Sequence, residues 1–404
     1  MNEIKITMSD VWDAQKKIGH VARRTPVNLG LGAELRENDV HIKLENLQLT
    51  GSFKIRGSLN KISNLTDEEK KRGVIAASAG NHAQGVAMSS KLFGVNSKIV
   101  MPEGAPLIKI SATKSYGAEV VLHGRYFDDA FKKAEELAKK ENRVFIHPYQ
   151  DKFVIAGQAT IGVEIMEAIP DLQSVIVPVG GGGLISGIAY VVKQLNPKVK
   201  VYGVVSDQTP GMMQLKKGQR QEQPEFISTI ADGIAVKSPS KEMFKSYIDE
   251  YVDEIVSVSD DEIAQAIVYG MELEKTILEG SGAAGLAAVL SGKIKPSGPS
   301  CVVLCGGNID LNLVSSVIDT GLRKAGRLAR ISVIVNDLPG ELASLTKDFA
   351  EMKANVLDVS HDRVSPELSL RQTRIDFLLE TMSFDHINEI KEKIRERNIW
   401  ILER

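Results

Sequence analysis

Cysteine is almost absent from this 404-residue chain, which contains only Cys301 and Cys305. Two cysteines cannot build a disulfide framework, and no His/Cys cluster has zinc-ligand spacing, so a reducing, cytoplasmic setting and no metal are the expectation. Charge of one sign is equally scarce. A formal net charge of -2 gives no electrostatic case for nucleic acid or an anionic membrane. The first twenty residues lack the apolar core of a signal peptide. The uncharged run Val175 to Val192 nears membrane-spanning length, but Pro178 and four consecutive glycines interrupt it. It reads as a buried strand, a loop and a buried helix. No internal repeat or low-complexity segment is present. What remains is an ordinary globular composition, 43% hydrophobic and 25% charged. The length calls for two or three domains.

Ser9-Asp10 is placed to cap a first helix running to about His20. Val40–Leu44 alternates like a strand. From Val74 onward short apolar runs alternate with helical segments. The expected strands are Val74–Ala77, Ser97–Met101, Glu119–Leu122, Val144–Ile146, Val175–Val179, Val199–Val205 and Ser300–Leu304. The expected helices include Asn81–Phe93, Tyr126–Lys140, Lys152–Ala168, Leu184–Leu195 and Asp260–Lys275. Such alternation, with strands apolar throughout, implies α/β architecture with parallel sheets covered on both faces. Two glycine-bearing strand-to-helix turns, Ser78–Asn81 and Gly180–Gly183, suggest two lobes with a cleft between them. After Arg327 the pattern changes to strand Leu328–Asn336, a turn at Asp337–Gly340 and a helix to about Met352. Strands near Asn355–Asp362 and Leu370–Glu380, helix Asp385–Arg397 and strand Trp400–Leu402 complete a ferredoxin-like βαββαβ unit. Without a cluster of reactive residues, this tail reads as a regulatory or assembly module.

Thr50-Gly51-Ser52-Phe53-Lys54 sets a lysine just after a glycine and a hydroxyl, a context in which lysine can serve as a covalent attachment point. Gly180-Gly181-Gly182-Gly183 follows an apolar strand and precedes a helix beginning Leu184-Ile185-Ser186. Consecutive glycines let backbone N–H groups converge on an oxyanion, and the helix N-terminus adds favourable partial charge. A tight turn without a ligand is the alternative, but four glycines cost folding entropy unless something approaches the backbone closely. The dinucleotide fingerprint fits poorly, and no Gly-Lys-Ser/Thr ending marks a nucleotide loop. Ser78-Ala79-Gly80-Asn81-His82 offers a hydroxyl, an amide and N-terminal donors for a carboxylate or ring hydroxyl. Taken alone it reads equally well as a helix cap. In isolation His82 is a structural histidine, Cys305 a small buried residue, and Glu279 a capping acid.

Together and in this order, the segments Gly51–Lys54, Ser78–His82, the glycine run from Gly180 and Cys305-Gly306-Gly307-Asn308 resemble the fold-type II pyridoxal-phosphate enzymes. The resemblance is closest to the threonine ammonia-lyases and covers essentially the whole chain. The tail, with Asp337-Leu338-Pro339-Gly340, resembles an ACT domain. The implied architecture is a two-lobed, tryptophan synthase β-like catalytic region at 1–325, with a small lobe at about 46–157, a large lobe of 1–45 and 158–325, and an ACT-like domain at 328–404.

The resemblance implies pyridoxal 5'-phosphate as cofactor, with Lys54 as the Schiff-base lysine and Phe53 beside the ring. Asn81 would bond the ring hydroxyl, and Gly180, Gly181, Gly182, Gly183 and Leu184 would hold the phosphate. Cys305 would face the pyridine nitrogen, where serine is commoner, and Glu279 would lie at the ring edge. Ser78, Ala79, Gly80, Asn81 and His82 would embrace the substrate carboxylate, with Lys54 and Ser78 as the catalytic pair. The activity implied is elimination of ammonia from L-threonine, and from L-serine, by α-proton abstraction and β-hydroxyl loss. A serine racemase or serine ammonia-lyase, or a catalytically inactive amino-acid sensor, are the alternatives. Racemases of this family hold a divalent cation with acids where Val205 and Gly211 align here, which disfavours such a site. A branched-chain amino-acid effector at the tail and a homodimeric or homotetrameric assembly complete the expectation.

Overall fold

The computed structural model describes residues 4–221, 228–364 and 368–402. The outermost residues of the two expected domains, 1–3 and 403–404, lie outside these. The chain divides into two compact units, Met1–Asp310 and Leu311–Arg404.

The first unit holds two sheets. The larger has strand order Val27–Leu29, Val40–Lys43, Ser300–Val303, Ser174–Pro178, Lys200–Ser206, Glu254–Val258, parallel except for its antiparallel first pair. The smaller is wholly parallel, in the order Glu119–Leu122, Ser97–Met101, Val74–Ala77, Val144–Phe145. Every residue of Val74–Ala77, Ser97–Met101, Ser174–Pro178 and Ser300–Val303 is buried. Helices therefore cover both faces of these strands, as continuous apolar runs require. In parallel sheets of this kind the strand-to-helix turns gather at the carboxyl ends of the strands, where ligands are held.

The second unit begins with helix Leu311–Lys324 and continues as strand, helix, two strands, helix and strand. Its antiparallel sheet runs Asn355–Asp362, Gln372–Glu380, Leu328–Asn336, Trp400–Leu402. Alternate residues of Gln372–Glu380 are buried, so one face of the sheet meets the two helices.

Several expectations shift. Thr7, not Ser9 or Asp10, caps the first helix, which spans Met8–Ile18. Asp10 is the third helical residue and returns a bond to the Thr7 backbone, completing a capping box. Strand Glu254–Val258 and helix Gly280–Leu290 went unread, the latter because glycine and alanine carry little periodic signal. Helix Asp260–Glu272 stops three residues before the expected end, and Lys275 has a positive φ of 56°. Among the described residues no helix is long and apolar enough to cross a membrane.

Candidate active site

Backbone pairing, not side chains, first joins the segments. Phe53 N–H donates to the Cys305 carbonyl (3.1 Å) and Gly307 N–H to the Gly51 carbonyl (2.9 Å), while Ser52 forms an isolated β-bridge with Gly306. The turn after strand Ser300–Val303 is thereby laced to the loop that delivers Lys54. Lys54 opens the helix Lys54–Ser63. Its Nζ lies 3.3 Å from the Pro148 carbonyl and 5.1 Å from the Phe53 ring centroid. Desolvation pulls this amine down to about 8, against the opposing pull of Cys305 and Glu279. A lysine so placed is partly neutral near physiological pH, as a nucleophile or base must be.

Glu279 occupies the cap position of helix Gly280–Leu290, but its side chain makes no cap bond. The carboxylate instead accepts from Asn81 Nδ2 at 2.6 Å. Burial, then the nearby charge of Asp232, pushes Glu279 up to about 7. Asn81 is the first residue of helix Asn81–Leu92, and its Oδ1 accepts from Asn308 Nδ2 at 2.7 Å. Cys305 is 3% exposed and donates its thiol to the Ser281 carbonyl at 3.4 Å. Burial and the Glu279 charge push the thiol far above its ordinary range, so it stays protonated. Phe53, Leu184 and Cys305 share one apolar cluster, which brings the glycine-run helix beside the lysine loop.

The glycine run is shaped by its neighbours. Gly182 has φ 94°, and a Cβ on Gly181 would stand 2.2 Å from the Tyr149 ring. Tyr149 follows Pro148, the residue that Lys54 touches, so the cradle and the lysine share one wall. The first-turn N–H groups of helix Gly183–Leu195 have no intrahelical acceptor and lie at the end of the glycine run. Ser78 Oγ accepts from Gly80 N–H (3.1 Å), bending the loop ahead of the Asn81 helix. The His82 imidazole turns away and meets the Ile146 carbonyl at 3.0 Å, buried and held neutral with a value of about 3. Any contribution of His82 to an anion site comes from its backbone.

Sequence reasoning assigned no role to Asn308, Tyr149, Asp232 or Lys109. Lys109 and Asp232 form a 2.7 Å ion pair. Among the described residues no cluster of three potential metal ligands exists. Val205 is a buried strand residue and Gly211 opens a helix.

The hydroxyls of Thr50, Ser52, Ser186 and Ser281 are buried and make no hydrogen bond among the described residues. Buried polar groups are ordinarily paired. Three of these flank Lys54 and Cys305, and Ser186 stands in the first turn after the glycines. The donor set suits a phosphorylated, polar aromatic group: an amine for its carbonyl, a glycine cradle for its anion and a thiol for a ring nitrogen.

The comparisons with known proteins agree. Residues 19–306 match the family model described as pyridoxal-phosphate dependent enzyme. A curated L-threonine ammonia-lyase from Thermotoga maritima is 47% identical over 96% of each chain. The solved threonine deaminase isoform 2 from Solanum lycopersicum superposes with TM-score 0.72 at 37% identity, covering 78% of this chain and 87% of that one. Maize serine racemase gives TM-score 0.71 at 31% identity, over 78% and 98%. This chain belongs to the pyridoxal-phosphate dependent enzyme family.

Proposed function

We propose that this protein is an L-threonine ammonia-lyase that converts L-threonine to 2-oxobutanoate and ammonia, with L-serine as a second substrate giving pyruvate. The carrying observation is the desolvated amine of Lys54, lowered to about 8 and borne by a loop whose backbone is bonded to the Cys305 turn. Pyridoxal phosphate, when bound, supplies the electron sink that stabilises negative charge at the substrate α-carbon. Lys54 would hold it covalently, Phe53 would lie along its ring, Gly180–Leu184 would take its phosphate, Asn81 its hydroxyl, and Cys305 and Glu279 its nitrogen and edge.

The chain's own residues then divide the work. The first-turn N–H groups at Asn81 and His82, with Ser78 and the Ala79-Gly80 backbone, orient the substrate carboxylate. Lys54 Nζ accepts the α-proton. Cys305, protonated and weakly polar, leaves the ring nitrogen without a full proton, which favours loss of the β-hydroxyl over reactions that return a proton to the α-carbon. Racemisation needs a proton donor on the opposite face. Ser78 is the candidate for that role: its hydroxyl accepts from Gly80 N–H and keeps its own proton, so the product formed decides between elimination and racemisation. Incubating the purified holoenzyme with L-threonine and with L-serine tests the assignment. Rapid 2-oxobutanoate release is expected, and D-serine as main product would overturn it.

The second unit reads as an ACT-like domain that takes an amino-acid effector. Supporting this is a cavity of about 410 Å³ lined by Asn336 to Leu342, His361, Arg363, Thr373 and Ile375. It offers the Arg363–Asp337 pair (2.9 Å) for charged ends and Leu338 for an apolar side chain. Titrating activity of the wild type and of Arg363→Ala with isoleucine and valine tests it. A response in wild type that survives unchanged in the variant would count against this site.

A further inference from the structure

Gly51 has φ 70°, and a Cβ there would stand 2.3 Å from Asn308 Oδ1. The glycine of the lysine loop thus makes room for an asparagine from the far end of the unit. Asn308 Nδ2 donates to two acceptors at 2.7 Å, the Thr50 carbonyl and Asn81 Oδ1. A backbone carbonyl only accepts, so the end of Asn308 at Thr50 must be its NH₂. That same NH₂ faces Asn81, which must answer with its oxygen. Asn81 is then left with its NH₂ pointing to Glu279 Oε1 at 2.6 Å. The three side chains form a one-way relay, and its direction is set by a main-chain oxygen four residues before Lys54.

We propose that Asn308 is a positioning residue that fixes the polarity of the Asn81 amide, so that Asn81 presents N–H donors and not its oxygen to the Glu279 side of the site. The proposal rests on the placing of Asn81 beside the cofactor. A free asparagine amide turns through half a rotation at little cost, since its two ends have almost the same shape. Two bonds to a fixed acceptor chain remove that freedom. The same contacts tie Asn81, on one loop, to Thr50 on the loop bearing Lys54, so one amide sets the relation between the ring-hydroxyl partner and the attachment point.

The test uses the full-length holoenzyme and three variants: Asn308→Ala, Asn81→Ala and the two combined. Cofactor dissociation constant, visible absorption spectrum of the bound cofactor, kcat and melting temperature are read for each. Asn308→Ala is expected to weaken cofactor binding about tenfold, the worth of one lost hydrogen bond with its orientation, and to shift the spectrum as Asn81→Ala does. The combined variant should be no worse than Asn81→Ala alone, because the relay acts only through Asn81. Independent, additive losses, or a wild-type spectrum and affinity in Asn308→Ala, would overturn the relay. An Asn81→Ala variant with wild-type spectrum and affinity would instead sink the placing of Asn81. Asn308→Asp keeps the size but loses both donors, and carries the test should the alanine variant fail to fold. Wild-type spectrum and affinity in that variant would reduce Asn308 to packing.

Discussion

Replacing Arg56 by methionine removes one charge from a sealed group of four. Arg56 stands in the first turn of the helix that Lys54 opens, 1% exposed. Its guanidinium donates to Glu45 at 2.9 and 2.8 Å and to Glu164 at 2.7 and 2.9 Å. It also donates to Thr160 Oγ1 and the Arg23 carbonyl, so all its donor nitrogens are engaged. Lys43, fully buried, pairs with Glu164 at 2.5 Å and approaches Glu45 at 4.0 Å. Two cations and two anions cancel. Methionine fills similar space but leaves two buried carboxylates sharing one lysine. Removing one partner of a buried pair costs about 3–5 kcal/mol, because the remaining charge has lost its solvent and its counter-ion. For a unit of this size, with an unfolding entropy of about 2.1 cal/mol/K per residue, the same cost lowers the melting temperature by roughly 5–8 °C. Denaturant unfolding of the holoenzyme at several pH values measures it.

The sign of the pH effect is fixed by Glu45. Burial alone would raise its pKa, but Arg56 and then Lys43 outweigh this and hold it below the ordinary carboxylate value. In the wild type this contributes stability above that ordinary value, lost as pH falls through the folded pKa. Without Arg56 the burial dominates and the folded pKa rises, so the variant regains stability as pH falls towards 5. The gap between the two proteins should therefore narrow on acidification. Adding Glu164→Leu to Arg56→Met restores a neutral Lys43–Glu45 pair and should recover at least half of the loss. A gap below about 1 kcal/mol at pH 7, the worth of an exposed pair, would refute the reasoning. So would a gap that does not change with pH.

Three further outcomes follow from the site. Cys305→Ser should retain activity within a few-fold, whereas Cys305→Asp, with a carboxylate at the ring nitrogen, should gain side reactions at the α-carbon. Product ratios measured by chromatography check this, and unchanged ratios in the aspartate variant contradict it. Gly181→Ala puts a methyl 2.2 Å from the Tyr149 ring. Overpacking of this kind costs about 1–3 kcal/mol, so cofactor affinity or melting temperature should fall, and Tyr149→Ala in the same chain should relieve it. His82 is neutral when folded, with its value lowered to about 3 by burial, then by the Lys54 charge. Below its unfolded value near 6.5 the unfolded chain binds a proton that the native protein refuses, so stability is lost at about 1.4 kcal/mol per pH unit down to the folded value. Calorimetry of His82→Asn, which can still donate to the Ile146 carbonyl, should show a shallower acid slope by one proton. An unaltered slope would place the acid sensitivity elsewhere, with His147 the next candidate.

The candidate site was legible because its residues sit at element boundaries with glycine punctuation. Lys54, Asn81, Gly183 and Cys305 all lie within a residue or two of an element boundary. What could not be read were the partners. Glu279 in isolation is a capping acid, and its cap position is correct, yet its side chain serves Asn81 on another helix. Asn308 appears in a motif without a reason until Gly51 and Thr50 stand against it. Arg56 and Glu164 resemble surface charges on their helices and are buried together. Hydrogen bonds between residues so distant in sequence leave no periodic trace, whereas apolar faces do.

Sequence alone determined the alternation of buried parallel strands with helices, the change to an antiparallel tail, and a lysine and a glycine run set at the starts of helices. These depend on local backbone preference and on the period of apolar side chains, which are properties of short segments. Tertiary structure decided the protonation of the site and the direction of its hydrogen bonds. The lowered amine of Lys54, the raised carboxyl of Glu279 and the neutral thiol of Cys305 arise from desolvation and from charges on other elements. Desolvation exists only once distant elements have packed together and shut water out, and no stretch of sequence carries it by itself.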